Sequence, residues 1–217
     1  MKLTSNSLLK KRISANREDY FVKNNIDPKN VVSAKIVHEK KLAAVHEKDS
    51  RKIISGVDGL ITQNKNIFLS ITSADCLPIF LFEPEKEIIG MIHAGWRNLE
   101  KGIASNAVEK IIKLGGRPEN ILVGIGPAIC QKHYEVGLEV AEKFKKYPEA
   151  IKKEGGKTYL DIKKIAQLQL LELGIRKGNI EISSECTFEL PKKYFSARRD
   201  KPKIVEAMIA VIGMKNT

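Results

Sequence analysis

Two short runs carry side chains able to do chemistry: Ala74-Asp75-Cys76-Leu77-Pro78 and His93-Ala94-Gly95-Trp96-Arg97. A thiol and an imidazole can bind a soft-to-borderline metal such as zinc, or act as nucleophile and base. The chain holds only three cysteines and four histidines in 217 residues, so two of them in one segment is informative. Each lies beside an apolar, strand-like run, and strand ends are where a rigid scaffold presents side chains to a cleft. Asp75 directly precedes the thiol and is a candidate proton carrier. Arg97 follows the imidazole, and a guanidinium suits phosphate or carboxylate. Between them Ala94-Gly95 allows close backbone approach.

A catalytic zinc site has three protein ligands and one open position. Cys76 and His93 supply two. His38, which also ends a strand-like run, is the first choice for the third; His46 competes with it, and His133 ranks below both. No CxxC spacing is present. A metal-free thiol hydrolase would use Cys76 as nucleophile and His93 as base, and a ligated thiolate could not play that part. Asp58-Gly59 reads as a turn entering a strand, with a carboxylate nearby.

The elements that must position these groups alternate irregularly. A helix is expected from Asn16 to Ile26 and a strand from Val31 to Val37, with a second short strand over Leu42 to His46. Ile67 to Thr72 reads as a strand. Leu77 to Phe82 and Ile88 to Ile92 read as a hairpin around Glu83-Pro84-Glu85-Lys86. Leu99 to Ile112 has helical spacing and stops at Gly115-Gly116. Ile121 to Ile125 is a strand. Val136 to Tyr147 and Ile162 to Leu173 are expected helices, the second capped by Asp161 and stopped by Gly174. Ile180 to Ser183 and Ile204 to Ile212 are late strands. The expected class is α+β with mixed sheets, in one domain spanning residues 1–217.

Hydrophobic residues make up 42% and charged residues 29%, the balance of a globular protein able to bury a core. The net charge is +12. It comes from lysines spread along the chain without interleaved aromatics, which argues for a solvated face over a nucleic-acid platform. The same field favours anionic ligands, phosphate included. Three widely spaced cysteines are no disulfide framework and suit a reducing compartment. The opening MKLTSNSLLKKR has no apolar core of a signal peptide, and no apolar run approaches membrane-spanning length. A cytoplasmic protein without membrane attachment is the expectation.

Several runs then resemble one family. Thr72-Ser73-Ala74-Asp75-Cys76-Leu77-Pro78-Ile79 and His93-Ala94-Gly95-Trp96-Arg97 resemble the TADC-x-P and HAGWRG motifs of the family first named for YfiH. Asp58-Gly59-Leu60-Ile61-Thr62, Gly126-Pro127-Ala128-Ile129, Tyr134-Glu135-Val136-Gly137, Cys186-Thr187 and Tyr194-Phe195-Ser196-Ala197-Arg198-Arg199-Asp200 resemble its other elements, in family order. Members are described as polyphenol oxidases or laccase-domain proteins. They are also described as purine nucleoside phosphorylases with adenosine deaminase and methylthioadenosine phosphorylase activities, and as peptidoglycan editing factors.

The resemblance implies a four-layer α/β/β/α sandwich. It implies a zinc-dependent enzyme phosphorolysing adenosine, inosine, guanosine and methylthioadenosine, with adenosine deamination as a side activity. The implied metal ligands are His38, Cys76 and His93; Asp75, Cys76, His93 and Arg97 would be catalytic; Asp58, Arg97 and Arg198 would meet nucleoside and phosphate. Alternatives are a Cys–His hydrolase or amidase editing peptidoglycan precursors, and a copper-dependent polyphenol oxidoreductase. Copper accepts a His/His/Cys set as a substitute, but a multicopper centre needs more than four histidines. The chain departs from the family pattern at Ile36 and Glu39, which stand where Gln and Gly are usual. Asn98 replaces a Gly, Lys132-His133 replaces a Cys, and no arginine occurs from Lys203 to Ala210.

Overall fold

The computed structural model describes residues 5–201 and 206–215, residues 5–10 for their backbone only. The chain runs α1 (Ser5–Lys23), β1 (Val31–Lys35), β2 (Leu42–Ala44), β3 (Ile53–Ser55), β4 (Gly59–Thr62), β5 (Phe68–Ser73), β6 (Leu77–Glu83) and β7 (Ile88–Ala94). It continues through α2 (Trp96–Glu100), α3 (Ile103–Lys113), β8 (Leu122–Ile125), β9 (Glu135–Val136), α4 (Leu138–Glu142), β10 (Ile151–Glu154) and β11 (Lys157–Leu160). The last elements are α5 (Ile162–Glu172), β12 (Ile180–Ile182), α6 (Ala197–Asp200) and β13 (Met208–Gly213).

One sheet has the order β13-β5-β1-β3 and a larger one β12-β8-β6-β7-β4-β2; a small third sheet is β10-β11-β9. Both larger sheets mix parallel and antiparallel pairs. In the first, β1 is parallel to β3 and β5 while β13 is antiparallel to β5. In the second, β12 is parallel to β8 and β2 to β4, around the antiparallel β8-β6-β7-β4 centre.

The central strand β7 is buried along its whole length, because both of its faces are covered. Side chains alternate across a strand. Ile89 and Met91 therefore join Leu60 in a cluster with Val32, Leu69 and Ile71 of the first sheet, so the two sheets pack face to face. Ile88 and Ile92 point the other way, into a cluster with Ile103, Val108 and Ile111 of α3 and Ile165 and Leu170 of α5. Beyond the first sheet, Phe21 of α1 packs with Val31 and Phe68. Burying one such aliphatic or aromatic side chain contributes about 1.5–3 kcal/mol, and β7 is where both clusters meet.

The mixed α/β character and the β6–β7 hairpin agree with the expectation. Several boundaries differ. The helical run from Leu99 is split into α2 and α3 by Gly102, whose φ of +84° is left-handed. The helix expected over Val136 to Tyr147 is only α4, because Val136 pairs in the small sheet opposite Thr158. The first helix begins earlier than Asn16 and ends at Lys23, with Asn25 in a left-handed turn. Of the strand expected from Ile204, residues 204 and 205 lie outside the described residues and β13 begins at Met208. Asp161 does cap α5, accepting from the Lys164 N–H at 2.9 Å, and Gly174 ends it at φ +88°.

Candidate active site

Three segments converge at one end of the larger sheet. The chain leaves β5 at Ser73 and re-enters a strand at Leu77, so Cys76 stands at the mouth of β6. His93 is the penultimate residue of β7 and pairs with Pro78. One residue beyond the last pair, Leu77 with Ala94, Cys76 comes opposite Gly95. A side chain at 95 would place its Cβ 2.8 Å from Cys76 Sγ, so only glycine lets the backbone pass this close to the thiol. His38 arrives from the loop after β1 in a left-handed conformation, φ +60°.

The ligand atoms of His38, Cys76 and His93 all lie within 4.8 Å of one another. The two imidazoles meet edge to face, with centroids 5.1 Å apart. Two nitrogens and one sulfur form the donor set that zinc and copper accept. Ligands of a tetrahedral zinc sit roughly 3.5 Å apart, so the trio fits a single ion after small side-chain rotations. His93 is buried, Cys76 half-buried and His38 exposed, which leaves an approach on the His38 side. His46 is not part of this group: it is exposed, and its Nδ1 lies 3.3 Å from Asn64 Oδ1.

Asp58 organises the trio from behind. Its carboxylate has no exposure and accepts from the N–H groups of Val37 (3.2 Å), His38 (2.9 Å) and Glu39 (2.8 Å). Its Oδ1 also lies 3.3 Å from His93 Nδ1, which turns the other ring nitrogen toward the thiol. Asp58, a substrate-contact candidate from the sequence, holds the backbone that presents His38 and orients His93. The loop is pinned on its other side by Asn98, itself fully buried. Asn98 Oδ1 accepts from Gly95 N–H at 3.0 Å, and its amide donates to the Glu39 carbonyl at 2.7 Å. The residue that departs from the family's usual glycine thus ties the His38 loop to the His93 loop.

These contacts set the electrostatics. Burial acts to raise the Cys76 thiol, but hydrogen bonds with His38 and His93 outweigh it and lower it to about 7. Burial works against a charged His93, yet Asp58 and then Cys76 hold the proton and raise it to about 9. Asp58 is pushed up by burial and pulled down by His93 and the three N–H donors; the net shift is below the ordinary carboxylate range. Without a metal the site therefore favours a thiolate–imidazolium pair as pH rises through about 7.

Asp75 is buried as well, with φ +85°. Its Oδ1 accepts from Thr187 Oγ1 at 2.6 Å, and its Oδ2 from Ser196 Oγ at 3.0 Å and the Arg198 N–H at 2.7 Å. This proton-carrier candidate from the sequence anchors the segment of Thr187, Ser196 and Arg198. Such off-region backbone persists only where surrounding contacts over-determine it, and three donors do so here.

Two arginines and a tyrosine complete the rim. Arg97 is exposed and lies over the Trp96 ring at 4.4 Å. Arg198 donates to the Glu135 carbonyl at 2.7 Å and lies over the Tyr134 ring at 5.0 Å. Burial raises the Tyr134 phenol, the Cys76 charge raises it further, and Arg198 and Arg97 oppose both; it stays protonated. Tyr134 was not among the sequence candidates, although the Tyr-Glu-Val-Gly run was a visible signal. His133 belongs elsewhere, in a separate group with Cys130 and Glu189. Among the described residues no helix is long and apolar enough to cross a membrane.

Comparison with known proteins places the chain in a family. The chain is 32% identical over 213 residues to the purine nucleoside phosphorylase YlmD of Bacillus subtilis, covering 92% of this chain and 76% of that one. It is 30% identical over 187 residues to the adenosine deaminase RL5 of an unknown prokaryotic organism, covering 80% and 71%. It spans 58–76% of the lengths of its first four such relatives. The crystal structure of the Bacillus licheniformis hypothetical protein YfiH superposes with a TM-score of 0.88 at 31% identity, covering 93% of this chain and 80% of that one. The family described as multi-copper polyphenol oxidoreductase laccase matches residues 9–215, nearly the whole sequence, and the chain belongs to this YfiH- and laccase-like family.

Proposed function

We propose that the protein is a zinc-dependent purine nucleoside enzyme that cleaves nucleosides with phosphate, adenosine, inosine, guanosine and methylthioadenosine among them, and deaminates adenosine as a side activity. The observation that carries this reading is the His38–Cys76–His93 trio, half open to solvent and rimmed by Arg97, Arg198 and Tyr134. The named activities of the relatives support it. So do the net positive charge and the absence of a multi-histidine copper cluster among the described residues, where the second donor group has one histidine. The same reading takes the protein as one cytoplasmic domain with α/β/β/α layering, which the three apolar clusters support.

His38, Cys76 and His93 would hold zinc, which when bound would supply Lewis acidity and an acidified water. The remaining roles fall to the chain. Asp58 fixes the direction of His93 and the height of the His38 loop. Arg97 and Arg198 hold phosphate through charge-assisted hydrogen bonds, aimed at the anomeric carbon of the ribose. As the new C–O bond forms there, the bond to the purine breaks and the base leaves. Tyr134 keeps its proton and donates a hydrogen bond to phosphate or sugar. Asp75 positions Arg198 by holding its backbone.

The test is chromatographic product analysis with adenosine and phosphate, beside Cys76→Ala. Adenine with ribose-1-phosphate, lost in the variant, supports phosphorolysis at this site; inosine, lost in the variant, supports deamination. Silence of the wild type loaded with zinc would sink the purine reading.

A second reading has its own observation, the thiol lowered to about 7 beside an imidazole raised to about 9. It makes Cys76 the nucleophile and His93 the acid–base partner of a hydrolase or amidase acting on an ester or amide such as a cell-wall precursor. Metal separates the two: chelation abolishes the first activity and leaves or raises the second.

A further inference from the structure

We propose a second transition-metal site at Cys130, His133 and Glu189, a donor group that shares no residue with the His38–Cys76–His93 trio. Their ligand atoms lie within 4.8 Å of one another. Sulfur, nitrogen and oxygen donors together suit a borderline ion, and zinc is the common case. Cys130 and His133 are separated by two residues, a short spacing that lets one turn of chain supply two ligands. Glu189 comes from a distant segment brought alongside by the parallel bridge between Ala128 and Cys186.

Each donor is already ordered. The His133 ring is stacked on Phe188, with centroids 4.2 Å apart and planes 13° apart. Its Nε2 lies 2.9 Å from Glu189 Oε1, which Lys132 also approaches at 3.3 Å. The Cys130 N–H donates to Cys186 Sγ at 3.2 Å, which fixes the backbone carrying the first thiol. Ordered donors lower the conformational cost of ligation. Cys130 and His133 are half-buried and Glu189 is exposed, so the ion keeps a water-facing position. On binding, the Cys130 thiol releases its proton to solvent as the sulfur–metal bond forms.

The location gives the site a purpose. It would clasp residues 130–133, which lead directly into Tyr134, to the segment whose Thr187 and Phe188 carbonyls accept from Arg199 at 2.7 and 3.0 Å. A metal there would rigidify the wall carrying Tyr134 and Arg198 without touching substrate. This inference does not depend on the purine reading.

The test is metal stoichiometry of the reduced full-length chain. Metal-free protein is titrated with zinc against a chromophoric chelator, and cobalt loading is followed by its thiolate charge-transfer band. Wild type should bind two equivalents. Cys130→Ser and His133→Ala should each bind one, Cys76→Ser should keep one, and Cys76→Ser with Cys130→Ser should bind none tightly. Cobalt thiolate absorbance should fall by half in either single cysteine variant. Circular dichroism of each variant checks that the fold survives, and Glu189→Gln, an exposed change, gives a second reading with weakened binding of one equivalent. One equivalent in the wild type, unchanged by Cys130→Ser, would overturn the proposal; so would two equivalents that survive both Cys130→Ser and His133→Ala.

Discussion

Asp58 and His93 are coupled through a single oxygen: Oδ1 lies 3.3 Å from the His93 Nδ1 and also accepts the His38 N–H at 2.9 Å. One carboxylate thus orients one imidazole and places the loop of the other. Carboxylates behind ligating histidines typically govern metal affinity by about 10–100-fold. Asp58→Asn should therefore weaken zinc at the first trio by about that factor, read by competition with a chelator. Asp58→Ala removes the buried acceptor shared by three part-buried N–H donors and should lower stability by on the order of 3 kcal/mol, read by urea unfolding. An Asp58→Asn protein with unchanged zinc affinity would refute the coupling.

Thiol labelling has a pH signature. In metal-free protein the Cys76 thiolate population should rise with pH through about 7, well below an ordinary thiol at about 8.5. Iodoacetamide labelling should be half-maximal near that lower value, and zinc should slow it at every pH. His38→Ala removes one of the hydrogen bonds that lower the thiol, so the profile should move to higher pH. A profile that ignores His38 would mean the loop does not face the thiol in solution.

Acid sensitivity follows from the same carboxylate. Asp58 titrates lower in the folded state than in the unfolded chain. Its stabilisation is therefore complete above the unfolded value of about 3.9 and lost as pH falls through the folded value. Unfolding midpoints measured from pH 6 downward should drop for the wild type more steeply than for Asp58→Asn.

Gly95→Ala is a one-carbon test of the packing. The added Cβ would sit 2.8 Å from Cys76 Sγ and 3.4 Å from Asn98 Oδ1. Zinc affinity and turnover should fall at least about 10-fold, as expected when a group holding the ligands is disturbed, with only modest loss of stability. Full activity in this variant would show that Cys76 tolerates displacement.

The arginines can be separated from the metal. Arg97→Ala and Arg198→Ala each remove a charged donor worth about 1.5–3 kcal/mol. On the phosphorolysis reading the KM for phosphate should rise about 10–100-fold, with zinc content unchanged. Deamination of adenosine, which consumes no phosphate, should respond far less.

How much of this was legible in the sequence depended on what each residue has to do. Cys76, His93 and His38 are rare residue types read at strand ends; the structure has Cys76 and His93 there, and His38 in the loop three residues past β1. The hydrogen-bonding of Asp58 and Asp75 was not legible, because a carboxylate that binds backbone N–H groups looks, in sequence, the same as one that meets substrate. Only burial distinguishes them, and both are bound by segments 19 to 123 positions away. Tyr134 escaped because an aromatic earns its place through neighbours, here Arg198 and Cys76. The small sheet escaped because Ile151-Lys152-Lys153-Glu154 is mostly exposed and carries no apolar alternation. The single helix expected from Leu99 ignored Gly102, whose left-handed turn lets α2 and α3 take different directions.

The three hydrogen bonds of Asp75 reach across 112, 121 and 123 positions to Thr187, Ser196 and Arg198. They close the loop next to Cys76 with residues more than a hundred positions further along the chain. Without those contacts the left-handed turn at Asp75 loses the donors that hold it, and the thiol beside it has no fixed address. Closing so long a loop carries an entropic cost, so the site should take shape late in folding, when these distant segments dock.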